Sequence, residues 1–401
     1  MSFFSLKNIF SIFNKPIINN RFFKRTATSF LLTSSLIYLG INSGYINNNA
    51  NYLSLNSNKY LCNIKTPLEC LVPNEDILNK NISTIYYPAN NPIEDRYNVK
   101  VLKNMKEALF MSVLDGHGGH TLSEFVNNRL ANYIDEEFNN LNKNTGSNIN
   151  DIVINSIKNA FQKVENEFKT VALDLYQNKG QGKMSTVGSC ALVTIIYNNT
   201  LYVANLGDSK ASLFGYDKSA KNYYYIKLMY RHNSELPREK QMLYEKFPND
   251  KDIVVCKRPN GTVCYVKGRL QPTRSFGDFH LKYKEFNENS GNNYKRQIKN
   301  FNGPYISSEP EITVYNLEPN DKYLILATDG LGDFVSTNEI IDIIEEKEKK
   351  QNKDLVAQDL FDKVMSKAAE ESNLTVPQLK SVPLGKRRNL HDDTTIIVLK
   401  L

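Results

Sequence analysis

The sequence predicts an α+β fold in which largely antiparallel sheets are covered on the outside by helices. Two observations indicate this fold: short strands joined by short turns outnumber the helices, and two segments repeat apolar residues at helical spacing. The clearest hairpin joins residues 189–197 to residues 201–205 through the turn Asn198-Asn199. With 401 residues, of which 41% are hydrophobic and 23% charged, the chain has the composition of a globular protein that buries a substantial core.

The other elements can be placed in chain order. The predicted elements are a buried strand at 108–114, amphipathic helices at 121–138 and 152–168, and strands at 312–317, 322–328 and 394–399. Residues 217–222 and 282–300 are polar and show no apolar period, so both are predicted to be surface loops. The folded domain is predicted to span residues 73–401 and contains no internal repeat.

The N-terminal region carries all of the excess charge. The formal net charge is +7, and seven basic residues precede the first acidic residue, Glu69. The rest of the chain is therefore neutral, which argues against nucleic-acid binding. Residues 1–25 are basic, lack acidic residues and are rich in Phe, Ile, Ser and Asn. This composition predicts a mitochondrial targeting segment within residues 1–46, with a disordered tail as the alternative.

Residues 27–46 are uncharged and apolar in their middle. They are about long enough to span a membrane, although Thr, Ser, Gly and Asn dilute the segment. Two interpretations stay open, a marginal inner-membrane anchor or a continuation of the targeting segment. Residues 47–72 are interpreted as a linker, and the predicted location is the mitochondrial matrix or inner membrane.

The cysteines predict no thiol chemistry. They are Cys62, Cys70, Cys190, Cys256 and Cys264. Their odd number, wide scatter and lack of a C-x-x-C pair favour reduced structural thiols over a disulfide framework or a zinc site. Cys264 and Arg269 are separated by four residues, one fewer than in the loop of cysteine-dependent phosphatases.

Several acidic residues stand where apolar runs end, each beside a glycine or a second acid. They are Asp115, Asp208, Asp329 and Asp392, accompanied by the pair Glu94-Asp95 and by Asp278 and Asp333. A strand that ends in a carboxylate and then turns at a glycine holds that carboxylate at the edge of a sheet. Carboxylates from separate segments converge stably only around cations.

An all-oxygen cluster suits Mg²⁺ or Mn²⁺ rather than Zn²⁺ or Cu²⁺. Two such ions about 3.5–4 Å apart can share a bridging water, lower its pKa and polarise a phosphoryl oxygen, so that hydroxide is the nucleophile. His117, two residues after Asp115, is close enough to protonate the leaving alkoxide. A single Asp-Gly pair after a strand is more often only a turn than part of a functional site. Asp278 could likewise be a turn or cap residue rather than a member of the cluster. The joint pattern therefore carries the prediction of a hard-metal hydrolase.

Six motifs occur in one order along the chain. They are Glu94-Asp95, Asp115-Gly116-His117-Gly118-Gly119, Gly207-Asp208-Ser209, Arg274-Ser275-Phe276-Gly277-Asp278, Ala327-Thr328-Asp329-Gly330 and His391-Asp392-Asp393-Thr394-Thr395. This order resembles that of the metal-dependent type 2C serine/threonine protein phosphatases, over roughly residues 84–401. The resemblance implies a four-layer αββα sandwich, two central antiparallel sheets flanked by helices, with metals at one end.

The resemblance also implies roles for the ligands of two Mg²⁺ or Mn²⁺ ions. Asp115 would bridge both ions, and Gly116 would contribute its carbonyl oxygen. Asp329 and Asp392 would hold the first ion.

Five other positions match supporting roles. Glu94 and Asp95 would act largely through bound waters. Asp208 and Asp333 match positions that help to bind a third, weaker ion in parts of the family. His117 matches the proposed general acid.

The chain departs from the family pattern at the predicted phosphate-binding position. Most members carry Arg four residues before the Glu of the Glu-Asp pair, to bind the substrate phosphate, whereas this chain has Asn90. The run 88–96 resembles the mitochondrial pyruvate dehydrogenase phosphatases, whose matching position is also Asn, and the runs 267–274 and 305–311 agree with that branch.

A second departure is Gly332, where the family usually has Trp; this chain contains no Trp. The change is expected to open a packing gap beside Asp329 and Asp333. The replacement of Trp by Gly332 is expected to affect the affinity for the metal ions but not the identity of their ligands.

The sequence therefore predicts a metal-dependent protein serine/threonine phosphatase whose phosphoprotein substrate is a mitochondrial dehydrogenase complex, such as the pyruvate dehydrogenase complex. Two alternatives stay open: the same chemistry on a different mitochondrial or cytosolic phosphoprotein, and an inactive relative that binds phosphoproteins as a scaffold. Such inactive relatives typically lose one or more metal aspartates, whereas Asp115, Asp329 and Asp392 are all present.

Overall fold

The described strands pair in antiparallel fashion throughout, as the sequence predicts. The computed structural model describes residues 81–401, apart from residues 144–145, 147, 258–262, 289–296 and 351–355. In chain order the strands are β1 (Ile82–Tyr87), β2 (Arg96–Val101), β3 (Leu109–Leu114), β4 (Gly116–His117), β5 (Gly188–Ser189), β6 (Ala191–Tyr197), β7 (Thr200–Leu206), β8 (Lys210–Asp217), β9 (Asn222–Lys227), β10 (Val254–Lys257), β11 (Val263–Val266), β12 (Phe276–Gly277), β13 (Glu311–Asn316), β14 (Asp321–Ala327) and β15 (Thr394–Lys400). The helices are α1 (Thr121–Asn127), α2 (Leu130–Leu141), α3 (Ile149–Asn178), α4 (Pro237–Lys246), α5 (Asp329–Gly332), α6 (Thr337–Lys349), α7 (Val356–Glu371) and α8 (Val376–Ser381).

Two five-stranded sheets lie face to face at the centre. One sheet has the strand order β1-β15-β14-β8-β9 and the other the order β13-β7-β6-β3-β2. Buried side chains from both sheets share one core, in which Met111 and Val113 of β3 join Leu324 and Leu326 of β14. Strand β3 is buried along its whole length, which explains why its apolar run does not alternate with polar residues.

Helices cover the outer faces of both sheets and complete four layers. On the β1–β15–β14 side, Ile344 of α6 belongs to the same buried cluster as Ile396 of β15. On the other side, the ring of Phe138 in α2 packs against Tyr197 of β6 with centroids 5.7 Å apart. The predicted arrangement of two central sheets flanked by helices is therefore confirmed.

The predicted hairpin and the strand at 394–399 are confirmed to within two residues, with β6 and β7 joined at Asn198 and Asn199. Both turn residues have positive φ, 50° and 61°, which matches the two-residue turns that suit the twist of a hairpin. The predicted loop at 217–222 shortens to a turn between β8 and β9.

One predicted helix is two helices in the structure. The sequence predicts a single helix at 121–138, but α1 ends at Asn127 and α2 begins at Leu130. Between them Arg129 has a φ of −124°, and its guanidinium lies 3.8 Å from the centroid of the Phe125 ring. The apolar period continues across the break because both helices pack on the same sheet, so the period alone does not show it.

Two cysteines form a disulfide, so the prediction of reduced thiols is wrong for them. Cys256 of β10 and Cys264 of β11 lie directly opposite each other and are joined. Their partnership depends on the register of a hairpin, which the spacing of cysteines in the sequence does not show. Cys190 is a buried free thiol, as predicted, and Cys62 and Cys70 lie outside the described residues.

The N-terminal predictions also lie outside the described residues. They are the targeting segment with its marginal anchor at 1–46, the linker at 47–72 and the first residues of the domain at 73–401. In the part of the chain that the structure describes, no helix has the length and apolar character needed to cross a membrane. The described part of the predicted surface loop at 282–300 includes a 3₁₀ turn, Lys284–Phe286. Lys282, Phe286 and Ile298 are buried, so the prediction of a surface position is wrong for these residues.

Candidate active site

The aspartates predicted at strand ends converge at one end of the two sheets, where several strands begin or stop. Strands β3 and β7 run in the same direction in one sheet, and the C-terminal end of β14 meets the N-terminal end of β15 in the other. Carboxylate oxygens of Asp115, Asp208 and Asp329 all lie within 4.8 Å of one another. Asp392 interacts electrostatically with both Asp115 and Asp329. Four segments that are distant in sequence therefore build one acidic cluster.

Burial and mutual repulsion make the ionised cluster unfavourable without a counter-ion. Burial raises the pKa of Asp115 well above its usual range, and the carboxylates of Asp329, Asp95, Asp392 and Asp208 raise it further. Burial and neighbouring carboxylates also raise the pKa of Asp329, and burial raises that of Asp392 to about 6. Among the described residues, nothing hydrogen-bonds to the buried Oδ1 of Asp329. These oxygen donors fit a hard divalent cation such as Mg²⁺ or Mn²⁺.

The predicted pair Glu94-Asp95 borders this cluster. Oδ2 of the buried Asp95 accepts hydrogen bonds from Oγ1 of Thr328 at 2.9 Å and from Oγ1 of Thr395 at 2.7 Å. These bonds tie the start of β2 to the ends of β14 and β15. Burial, followed by the charge of Asp393, raises the pKa of both Glu94 and Asp95. Their action through bound waters stays a prediction.

Asp393 fixes the loop that precedes Glu94. Its Oδ1 accepts hydrogen bonds from the backbone N–H groups of Ala89 at 2.6 Å and Asn90 at 2.8 Å, and its Oδ2 accepts one from that of Glu94 at 2.7 Å. The side-chain amide of Asn90 donates to the same Oδ2 at 3.0 Å. The structure thus gives Asn90 a role in holding the loop, and its contact with a substrate phosphate stays a prediction. The sequence places Asp393 beside Asp392 in one acidic motif but does not indicate these contacts with the loop.

The two residues predicted for a third ion are both electrostatic neighbours of Asp329. Asp208 is buried, and its Oδ2 accepts a hydrogen bond from Nδ2 of Asn233 at 2.8 Å. The backbone N–H of Asp333 donates to the carbonyl of Asp329 at 2.9 Å, so the two acids share one helical turn. Both Asp208 and Asp333 raise the pKa of Asp329, in addition to burial and Asp392.

Two glycines near the ligands have opposite surroundings. A Cβ on Gly116 would lie 2.4 Å from the carbonyl oxygen of Glu94 and 2.7 Å from Oγ of Ser123, so this position has no room for a side chain. A Cβ on Gly332 would meet nothing within 4 Å, and this glycine is exposed to solvent. The packing gap expected at a position where Trp is usual stays a prediction. The role of the Gly116 carbonyl as a metal ligand stays a prediction.

His117 is paired with a buried aspartate far away in the sequence. Strands β4 and β12 flank β5, so His117 and Gly277 both lie opposite Gly188. His117 Nε2 lies 2.6 Å from Oδ2 of Asp278, which also accepts a hydrogen bond from Oγ of Ser275 at 2.7 Å. A Cβ on Gly188 would lie 2.1 Å from both His117 Nε2 and Asp278 Oδ2, so only glycine leaves room for the pair.

The charges of His117 and Asp278 stabilise each other. Burial alone would lower the pKa of His117, but the carboxylates of Asp278, Asp208 and Glu94 together outweigh burial and the net pKa is raised. Burial alone would raise the pKa of Asp278, but His117, together with His280 and the hydrogen bond from Ser275, outweighs burial and the net pKa is lowered. Glu165 fixes the segment that carries Asp278. It accepts hydrogen bonds from the backbone N–H of Gly277 at 2.9 Å and from Lys282 Nζ at 2.5 Å. The imidazolium form of His117 is thus favoured.

Comparisons with known proteins identify the family of this chain. The family model described as Protein phosphatase 2C matches residues 95–373. "Probable protein phosphatase 2C 38" of Arabidopsis thaliana is 35% identical over 318 residues, which cover 78% of each chain. "Probable protein phosphatase 2C 28" of Oryza sativa subsp. japonica is 34% identical over 318 residues, covering 78% of this chain and 75% of that protein. The chain belongs to the protein phosphatase 2C family.

Members of this family are protein serine/threonine phosphatases, and solved structures share the fold. The crystal structure of serine-threonine phosphatase 2C from Toxoplasma gondii matches with a TM-score of 0.56, covering 80% of this chain and 94% of that chain. Its sequence identity is 17%, so this likeness concerns the fold alone. The phosphatase assignment rests on the family match and the relatives.

In this phosphatase 2C, the sequence identified the acidic cluster but not the partner of His117. Asp278 was interpreted as a cluster member or a turn residue. It does occupy a turn, with a φ of 49° before the 3₁₀ turn Phe279–Leu281. Its side chain has the additional role of contacting His117. The position of an acid within Ser275-Phe276-Gly277-Asp278 was the available signal.

Proposed function

We propose that this phosphatase 2C hydrolyses phosphoserine and phosphothreonine esters at the acidic cluster, with two Mg²⁺ or Mn²⁺ ions and a third, weaker ion as cofactors. The observation that carries the proposal is the convergence of the Asp115, Asp208 and Asp329 oxygens within 4.8 Å. Asp115 would bridge two ions, and Asp329 and Asp392 would hold the first. When bound, the ions would activate a water molecule and offset charge on the phosphoryl oxygens.

His117 would supply the proton that the leaving group needs. In the reaction, the oxygen of water bonds to phosphorus, the ester P–O bond breaks, and the serine or threonine oxygen leaves with a proton. Because His117 Nε2 faces Asp278 at 2.6 Å, the other ring nitrogen, Nδ1, would deliver that proton. Asp278 would hold the ring in place and keep it protonated.

The metal requirement is tested on the full chain with a phosphoserine peptide. Hydrolysis is expected in Mn²⁺ or Mg²⁺, loss of hydrolysis in excess EDTA, and recovery when the ion is added back. Release of inorganic phosphate is the measurement. Absence of hydrolysis under both metals, in a protein that still binds the phosphopeptide, would support the scaffold alternative instead.

For the substrate, the proposal is a mitochondrial dehydrogenase complex of the pyruvate dehydrogenase type, reached by import to the matrix or inner membrane. Its support is the acid-free N-terminal segment, together with the resemblance of the run around Asn90 to pyruvate dehydrogenase phosphatases. The competing possibility is another mitochondrial or cytosolic phosphoprotein, since the fold does not determine the substrate.

The location is tested by fusing residues 1–46 to a fluorescent protein. The fusion is expected to enter mitochondria, because a basic, acid-free amphipathic segment is typical of a presequence. The matched control replaces Lys7, Lys15, Arg21, Lys24 and Arg25 by Gln and is expected to stay in the cytosol. Cytosolic fluorescence of the unaltered fusion would contradict the proposed location and favour a cytosolic substrate.

A further inference from the structure

Two neighbouring arginines before β15 have different surroundings. Arg387 is buried, and its guanidinium donates to the Tyr87 hydroxyl at 2.8 Å and to the Lys380 carbonyl at 2.7 Å. Arg388 has a side chain that is 48% exposed, and its Nη1 lies 2.5 Å from Oδ2 of Asp392. The first arginine therefore holds the local backbone, while the second presents its charge at the acidic cluster.

The charge of Arg388 acts on the whole cluster rather than on one partner. Its guanidinium interacts electrostatically with Asp392, Asp329, Asp115 and Asp393. It also acts on Glu94. Half of the side chain remains open to solvent, so a ligand that approaches the cluster can reach the guanidinium.

A cation beside the cluster favours binding of a phosphate dianion, because it adds to the proposed metal ions in offsetting the charge of the carboxylates and of the phosphate. Asn90, the position predicted to bind phosphate, is neutral and its amide already donates to Asp393 at 3.0 Å. A guanidinium offers several N–H donors in a plane and binds two phosphoryl oxygens at once. The geometry and charge at the cluster thus favour Arg388 for this role.

We propose that Arg388 binds the phosphoryl group of the substrate at the mouth of the acidic cluster. The inference rests on the proposed function. A divalent cation that takes Asp392 as a ligand competes with the singly charged Arg388 for that carboxylate. Arg387 anchors the 3₁₀ turn Arg387–Asn389, which fixes the backbone that carries Arg388 beside the cluster. The donors of the released guanidinium would then be available to phosphate.

The test compares Arg388→Gln and Arg388→Lys with the wild-type full chain, using inorganic phosphate as the probe. Loss of a charge-assisted contact is expected to weaken phosphate binding by about ten- to a hundredfold. This loss is measured by calorimetric titration in saturating Mn²⁺ and by the inhibition constant of phosphate, and KM for a phosphoserine peptide is expected to rise in parallel. The lysine variant is expected to retain part of the affinity, because it keeps the charge and loses the planar fork.

The matched control is Lys386→Gln, which removes the same charge from an exposed side chain two residues away. It is expected to leave phosphate binding, KM and Mn²⁺ affinity unchanged. Mn²⁺ affinity of Arg388→Gln is expected to be equal to that of the wild type or tighter, because a competing cation is gone. Thermal unfolding of each variant verifies that the fold is retained.

Unchanged phosphate affinity in Arg388→Gln would overturn the inference. If Arg388→Gln kept its phosphate affinity but lost Mn²⁺ affinity, Arg388 would instead be a residue that positions Asp392. Weaker phosphate binding in Lys183→Gln but not in Arg388→Gln would also overturn it, since the exposed Lys183 is another cation that acts on Glu94. Failure of the wild type to hydrolyse the peptide would count against the proposed function, and the phosphate titration would still decide the role of Arg388.

Discussion

Replacing Asp115 by asparagine is expected to abolish metal-dependent phosphatase activity while the fold stays intact. The expected loss in kcat/KM is at least about a hundredfold, the order that one lost electrostatic contact to a transition state costs. Asp115 has neighbouring carboxylates from other segments, and its oxygen lies within 4.8 Å of those of Asp208 and Asp329. Asparagine has nearly the same shape but no charge, so it removes a ligand and at the same time relieves repulsion. The thermal stability of the metal-free variant is therefore expected to be no lower than that of the wild type.

This prediction is checked by peptide hydrolysis and by calorimetric titration with Mn²⁺. The matched control is Asp342→Asn, the same chemical change on an exposed side chain of α6, which is expected to leave activity and Mn²⁺ binding unaltered. Near-wild-type turnover of Asp115→Asn would show that the assignment of Asp115 as the bridging ligand is wrong.

Replacing Asp278 by asparagine is expected to reduce kcat for phosphoserine peptides by about a hundredfold, at the lower end of what general acid catalysis contributes. The carboxylate is buried and lies 2.6 Å from His117 Nε2, where it favours the imidazolium that would protonate the leaving oxygen. An aryl phosphate releases a stable phenolate that needs no proton. Hydrolysis of para-nitrophenyl phosphate is therefore expected to fall by less than about tenfold.

The difference between the two esters separates proton donation from structural damage. A similar loss on both esters would show that Asp278 supports the fold or the metal ligands rather than His117. Gly188→Ala is expected to give the same selective loss, since a Cβ there would lie 2.1 Å from both members of the pair. His117→Gln added to Asp278→Asn is expected to cause little further loss, because residues that act as one unit are not additive.

The sequence predicted the acidic cluster because each of its members has a local signal. Asp115 and Asp329 follow apolar runs and precede a glycine, and such a pattern depends only on burial and on the conformational freedom of the next residue. The hairpin at Asn198-Asn199 was predictable for the same reason. The order of the motifs then led to the family, which the comparisons confirmed.

The break between α1 and α2 had no such signal, because the apolar period continues across Arg129 and only the backbone conformation of that residue shows the break. The bond between Cys256 and Cys264 was missed because it depends on strand register. The contact between the Asn90 amide and Asp393, 303 positions away in the sequence, had no local signal either.

By itself, the sequence determined which carboxylates stand at strand ends, the α+β class and the family. Only the tertiary structure decided that His117 lies against Asp278, 161 positions away, and that Arg388 faces the cluster while Arg387 is buried. The physical reason is that buried strands and tight turns require particular residue types at neighbouring positions, which the sequence shows. The identity of a distant hydrogen-bond partner requires no such local pattern. That partner is set by strand order and register, which result from the packing of both sheets and their helices.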